Sequence, residues 1–291
     1  MTTAVLRPIV IGLLATLLST SCSEKAKPEE GELAAAASTQ PATPPEKVLP
    51  DTLDEALKTE FRTEENKARD AYRHPKETLE FFGLKPNMSV VEITPGMGWY
   101  SEIIGPYVAK SGKFYAAQPQ PGDNPMMKKY IDGYNEFLSK NSEIKGTVVE
   151  FKAGEPLATS EPVDMIVTFR NIHNWMGKGP EGAQAAFKTF YASLKSGGVL
   201  GVVEHRESAK KKQDPKAKSG YVKESEVIKW AQKAGFKLDK KSEINANPKD
   251  TKNYPKGVWT LPPNFAEGEA TKAKYVAIGE SDRMTLRFVK P

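Results

Sequence analysis

The chain has 291 residues, with hydrophobic residues at 38%, charged residues at 27% and a formal net charge of +5 at pH 7. That is enough apolar material for one sizeable domain or two small ones, and too mild a charge to mark a nucleic-acid footprint. The Lys210-Lys211-Lys212 run reads as a solvated loop, because no stripe of aromatic and basic residues accompanies it, so no nucleic-acid partner is expected.

Arg7 precedes an apolar run, Ile9 to Leu18, too short to span a membrane and suited to the core of a secretory signal. The run ends at Ser19-Thr20-Ser21-Cys22, and Cys22 is the only cysteine of the protein. The pattern resembles a bacterial lipoprotein signal, whose cleavage leaves a lipidated cysteine as the first mature residue. An ordinary secretory signal cut nearby is the other reading. Residues 1–22 are thus expected to be a signal peptide and the protein to be exported, to the periplasm. Its membrane contact would be only a lipid anchor at Cys22. A single cysteine excludes disulfides within the chain. Residues 23–50 are rich in Pro, Ala, Glu, Ser and Thr with little to bury, and read as a disordered linker, leaving 51–291 for the folded domain.

Leu53, Ala56, Leu57 and Phe61 keep helical spacing, and Ala68, Ala71 and Tyr72 extend it. Arg73-His74-Pro75 interrupts, and Pro75 suits the first turn of a new helix that Gly83 closes. From Val90 short apolar runs of strand length recur at 90–93, 114–117, 148–151, 165–169 and 199–203. Helical patterns lie between them, at 99–109, 127–138, 183–194 and 227–234. This alternation predicts an α/β fold, a doubly wound and mostly parallel sheet covered on both faces. The run 284–289 alternates apolar and polar residues like an edge strand. Residues 245–274, rich in Pro, Asn and Lys, read as a long excursion that could cover a site.

In such a sheet ligands bind at the carboxyl ends of the strands, and a glycine turn between a strand and a helix builds the site. Here Glu92 closes the first strand and Thr94-Pro95-Gly96-Met97-Gly98 makes the turn. Two glycines after a strand also serve simple strand-to-helix packing, so the turn alone does not decide. The segment resembles the first motif of class I S-adenosylmethionine-dependent methyltransferases, with Glu92, Gly96 and Gly98 in place and Thr94 where the first glycine usually stands. Asp164 ahead of Met165–Phe169 and the Leu194-Lys195-Ser196-Gly197-Gly198 turn resemble later motifs of that superfamily. The last strand fits its antiparallel seventh, completing a Rossmann-like seven-stranded sheet. Arg73-His74-Pro75, Asn171-x-His173-Asn174-Trp175 and Trp259-x-Leu261-Pro262-Pro263 look like a bacterial group of predicted exported methyltransferases.

The resemblance implies S-adenosylmethionine as cofactor and methyl transfer to a small-molecule acceptor. It implies Glu92, Thr94, Gly96, Gly98, Gln118, Glu155 and Asn171 as cofactor contacts. Gln118 stands where the family usually has an acid for the ribose hydroxyls, and an amide is a poorer bidentate acceptor. Glu155 falls where an acid near the adenine is expected. Trp99, Tyr100, Arg170 and Trp175 are candidate substrate contacts, the aromatic rings being useful against a sulfonium cation. His74, at the Arg-His-Pro break, reads first as structural and is kept among those contacts.

His173 and His205 follow the fourth and fifth strands, which puts both at the carboxyl edge of the predicted sheet. With Glu204 to orient a ring, either could accept the proton released by methyl transfer to oxygen or nitrogen. A metal site built on these histidines is the weaker reading, for their spacing lacks any i, i+4 pair, and no metal is expected. The competing function is a non-catalytic binding protein on a degenerate methyltransferase fold, which the substitution at Gln118 favours.

Overall fold

The computed structural model describes residues 46–291. The signal-peptide reading of residues 1–22, Cys22 included, lies outside the described residues, as does most of the expected linker. Its last residues, 46–50, lie against the domain: the Lys47 backbone N–H donates to Glu143 Oε1 at 2.9 Å, and Pro50 is buried.

Seven strands form one sheet, β1 (Ser89–Ile93), β2 (Lys113–Gln118), β3 (Thr147–Glu150), β4 (Val163–Phe169), β5 (Leu194–His205), β6 (Lys237–Ser242) and β7 (Arg283–Val289). Their order is β3-β2-β1-β4-β5-β7-β6, with β7 antiparallel to both neighbours and the remaining pairings parallel. This is the doubly wound, mostly parallel sheet with an antiparallel last strand that the sequence predicts. The central strands are apolar on both faces because both are covered. Val90, Phe114, Met165, Val167 and Val199 pack with Leu79 and Phe82 of α4 (Pro75–Phe82) and Ile103 and Ile104 of α5 (Ser101–Val108). Val91, Ile93, Ile166, Leu200 and Val202 face the opposite layer, where Phe187 and Phe190 of α8 (Pro180–Ser193) and Trp230 of α9 (Glu224–Ala234) close the core. Between them in sequence lie α6 (Pro125–Lys140) and the single turn α7 (Ile172–Trp175), and α10 (Lys272–Val276) follows within the excursion.

Two local expectations change. The helical pattern of 53–72 breaks into three single turns, α1 (Leu53–Ala56), α2 (Glu64–Lys67) and α3 (Asp70–Arg73). Threonine hydroxyls compete with the helix: Thr59 Oγ1 donates to the Ala56 carbonyl, and Thr63 Oγ1 accepts from the Asn66 N–H and starts a new turn. The strand β6, Lys-Leu-Asp-Lys-Lys-Ser, carries no run of apolar residues, because it is the sheet's exposed edge and buries almost nothing.

The excursion is tied down by a buried carboxylate. Asp250 accepts from the Tyr221 hydroxyl at 3.0 Å on both oxygens, from the Lys252 N–H at 2.8 Å and from the Asp282 N–H at 2.7 Å. Removing the hydroxyl in Tyr221→Phe leaves that carboxylate short of a donor and is expected to lower stability by about 1–3 kcal/mol, read from urea unfolding. A change within experimental error would mean that the excursion is held by other contacts.

Candidate active site

The strand order reverses between β1 and β4, and the crevice at their carboxyl ends is where a doubly wound sheet takes its ligands. Past β1 the backbone turns through Thr94, whose φ is +48°, and Gly96, at +63°. A side chain at Gly96 would meet nothing within 4 Å, so the turn leaves an open cradle there. Gly98 differs: a Cβ on it would press Tyr134 and Phe137 of α6 at 3.3 Å, so this glycine serves packing. Thr94 adopts a conformation that glycine takes freely, which accounts physically for a glycine at this place in the resembling motif.

Two spaces open from this turn and share Thr94, Gly96, Tyr130 and Asn171 in their walls. One is a groove of about 810 Å³ lined by Gln118, Met127, Phe151, Asn174 and Trp175. The other is a cavity of about 240 Å³ lined by Glu92, Trp99, Tyr100, Arg170, His173, His205, Trp259, Glu280 and Ser281. Asn171 stands between them, its Nδ2 donating to the Ile93 carbonyl at 2.8 Å and to Thr168 Oγ1 at 3.2 Å. In the groove Gln118 Nε2 is buried without a partner, and so is Thr94 Oγ1 in the shared wall. Trp175, expected as a substrate contact, packs on Phe151 and Phe190 and lines the groove rather than the cavity. Glu155 is exposed, pairs with Lys152 and lines neither space. His74, at φ +42°, joins α3 to α4 and also lines neither space.

His173, His205 and Glu204 lie close together at the carboxyl edge, the two histidines in the cavity wall and Glu204 buried behind them. Glu204, at the end of β5, is fully buried and accepts from the Ile172 N–H at 2.6 Å, the His173 N–H at 3.4 Å and the His205 N–H at 2.8 Å. Its Oε1 lies 3.1 Å from His173 Nδ1. A carboxylate that collects only donors takes the proton of Nδ1 as a fourth, which fixes the tautomer and leaves the lone pair on Nε2. His205 Nδ1 meets Ser281 Oγ at 2.5 Å, and its ring centroid is 5.4 Å from that of His173. Burial holds His205 well below the ordinary imidazole pKa, reinforced by the neighbouring His173 and Arg170, so this ring stays neutral. His173, Glu204 and His205 bring possible ligand atoms within 4.8 Å of one another. With four donors already on Glu204, its carboxylate has little left to offer a cation.

Several lining residues were not among the sequence candidates. Trp259 comes from the excursion and meets His173 edge-on at 5.9 Å, and Glu280 and Ser281 precede β7. The signal for them is topological. An antiparallel β7 begins where parallel strands end, and Arg283 pairs in register with His205. Residues just before β7 are therefore delivered to the carboxyl edge.

No protein-family model and no curated protein matches the chain. Solved structures similar to it include a SAM-dependent methyltransferase from Aquifex aeolicus, at 20% identity, covering 67% of this chain and 93% of that one with a TM-score of 0.48. An S-adenosylmethionine-dependent methyltransferase from Clostridium acetobutylicum is similar at 11% identity over 77% of this chain and 96% of that one, with a TM-score of 0.49. The pyocyanin biosynthetic protein PhzM is similar at 11% identity over 77% of this chain and 56% of that one, again with a TM-score of 0.49.

Glu92 makes a pH prediction. Burial raises its pKa from 4.5 to about 8, against the lowering by the Ser101 hydroxyl bond and Arg170. Between those values the folded protein holds a proton that the unfolded chain has released, so stability falls as pH rises through the window and levels off above it. Unfolding free energies from pH 5 to 9 should show this decline, and Glu92→Gln should remove a drop on the order of a few kcal/mol. A wild-type profile as flat as that of the variant would show that Glu92 ionises normally.

Proposed function

We propose that the domain is an S-adenosylmethionine-dependent methyltransferase acting on a small-molecule acceptor. The observation that carries this reading is the open cradle at Gly96, from which an apolar groove and a polar cavity lead in different directions. The residues fit the cofactor. Unpartnered Gln118 Nε2 suits a ribose hydroxyl, and Met127, Phe151 and Trp175 suit a flat base. Thr94, Gly96 and Asn171 would hold the part between groove and cavity, with the protonated Glu92 beneath. When bound, the cofactor supplies an electrophilic methyl group on a sulfonium.

The chain's own work is then alignment and proton transfer. Tyr100, stacked on Phe169 with centroids 3.5 Å apart, and Trp99 and Trp259 make a stiff aromatic wall that excludes water from the cavity. His173 Nε2 accepts the proton of the acceptor's hydroxyl or amine, and Glu204 stabilises the imidazolium so formed. His205, held neutral by its surroundings, can hydrogen-bond the acceptor without repelling a cation. The reading of a non-catalytic binder rests on Gln118, since an amide oxygen replaces the acceptor pair of a carboxylate.

Calorimetric titration with S-adenosylmethionine and S-adenosylhomocysteine tests the proposal. Micromolar binding is expected, weakened at least about tenfold by Gly96→Val, which adds a side chain to the cradle at a positive φ, a loss of about 1.4 kcal/mol. No binding of either compound at millimolar concentration, in folded protein, sinks the methyltransferase reading and leaves the binder.

We further propose that the protein is exported and anchored by lipid at Cys22, a reading supported by the sequence of residues 1–22. Among the described residues no helix is long and apolar enough to cross a membrane. Expressed in a bacterium, the full chain should partition with membranes and Cys22→Ser should release it. Equal partitioning of both would argue against the anchor.

A further inference from the structure

Four guanidinium groups gather behind and within the cavity, brought there by distant parts of the chain. Arg69 precedes α3 and Arg73 ends it, Arg170 follows β4, and Arg283 opens β7. A single carboxylate answers them. Glu280 pairs with Arg69 Nη2 at 2.6 Å, with Arg73 Nε at 3.2 Å and with Arg283 Nη1 at 3.2 Å. Arg73 is 1% exposed, yet its Nη1 and Nη2 have no hydrogen-bond partner among the described residues, and its guanidinium carbon lies 4.5 Å from the centre of the Trp99 ring. Arg170 lines the cavity and, among the described residues, forms no ion pair and no side-chain hydrogen bond with any of them. Its backbone φ of +61° is one that side-chain-bearing residues rarely adopt, so the fold holds this guanidinium here at a cost.

The nearby groups that could neutralise the cluster do not. Glu92 keeps its proton at neutral pH, Tyr100 is pushed up to about 12 by burial, and Glu204 is committed to His173 and three backbone N–H groups. Three positive charges are left unmatched in a largely buried place. Buried charges without partners are among the least tolerated features of a folded protein, and natural sites of this kind await a counter-ion. Arginine forks suit planar or tetrahedral oxyanions in particular. A dication is excluded by the same field.

We propose that the cavity recognises an oxyanion on the acceptor, a carboxylate or a phosphate group, gripped by Arg170 and drawn in by the field of Arg69, Arg73 and Arg283. The word acceptor rests on the methyltransferase reading; the anion site itself does not. S-adenosylmethionine adds no net negative charge, because its carboxylate is outweighed by an ammonium and a sulfonium. Within a cavity of about 240 Å³ the anionic group of a small acceptor would leave its nucleophilic atom facing His173.

The test is calorimetric titration of the protein with inorganic phosphate and with acetate, at ionic strength matched by chloride, with and without saturating S-adenosylhomocysteine. Saturable binding is expected to one or both, and the tighter of the two names the acceptor's anionic group. Binding should weaken at least about tenfold in Arg170→Gln and less in Arg170→Lys, which keeps the charge and loses the fork. In buffer free of phosphate and carboxylates, Arg170→Gln should melt at a higher temperature than wild type, since it removes an unmatched charge. A lower melting temperature would mark Arg170 as structural and overturn the proposal. So would the absence of saturable binding at tens of millimolar anion, or anion binding that S-adenosylhomocysteine abolishes, which would give the cluster to the cofactor's carboxylate. Anion binding in a protein that binds neither adenosyl compound would leave this site standing and the methyltransferase reading fallen.

Discussion

The carboxylate of Glu204 is the point on which the site depends. It ends β5, the strand that pairs with β4 on one side and β7 on the other, and it is wholly removed from solvent. A buried carboxylate is tolerable only when donors surround it, and here the donors are the first N–H groups of α7, the N–H of His205 and the ring of His173. Satisfying one carboxylate thus ties the end of β5 to the segment after β4, orients the His173 imidazole and selects its tautomer. The interaction is structural and chemical at once. Loss of the carboxylate would free the turn that carries His173 as well as the ring itself.

The antiparallel last strand has an equally direct consequence. In a sheet whose other strands run parallel, only β7 starts at the carboxyl edge, so it alone can contribute residues that precede a strand. Glu280 and Ser281 reach the cavity this way, with Arg283 at the first position of β7 behind them and the excursion before them supplying Trp259 as a wall. The crevice is therefore built from strand ends of both directions. One side is the glycine turn and the groove. The other is a charged and aromatic cavity assembled from the segments next to α3, β4, β5 and β7.

How much of this was legible in the sequence follows the range of the physical signal. Strands β1, β2, β4, β5 and β7 announce themselves by apolar runs or alternation, because burial acts on most residues of a central strand. Strand β3, at one edge with a single buried residue, is legible only because its apolar run continues to the buried Phe151. The edge strand β6 buries almost nothing and leaves no such mark. His173, Glu204 and His205 were found because each follows a recognisable strand, and strand ends in this fold converge. The arginine cluster was not read as a unit. Arg73 and Glu280 are 207 positions apart, and nothing local to either announces the other. Glu155 shows the opposite failure: an acid at the expected place in the sequence turns out to face solvent, since a loop's direction is not set by its spacing from a strand.

At Glu92 two opposed effects decide what the cavity can hold. Arg170 favours the ionised carboxylate, and burial disfavours it; burial wins, and the proton is retained up to about pH 8. Had the Coulombic effect won, Glu92 would engage Arg170 and the guanidinium would be lost to any ligand. A glutamate deep enough to stay neutral gives the site a hydrogen-bonding group without neutralising Arg170. The same balance limits the site, because above about pH 8 the ionised Glu92 draws on the charge of Arg170. The positive φ values of Thr94 and Arg170 are each a strain on the order of 1–3 kcal/mol, concentrated in the wall of the cavity and sustained by a well-covered sheet elsewhere. Local strain is thus concentrated at the reversal point between β1 and β4, where the two spaces meet.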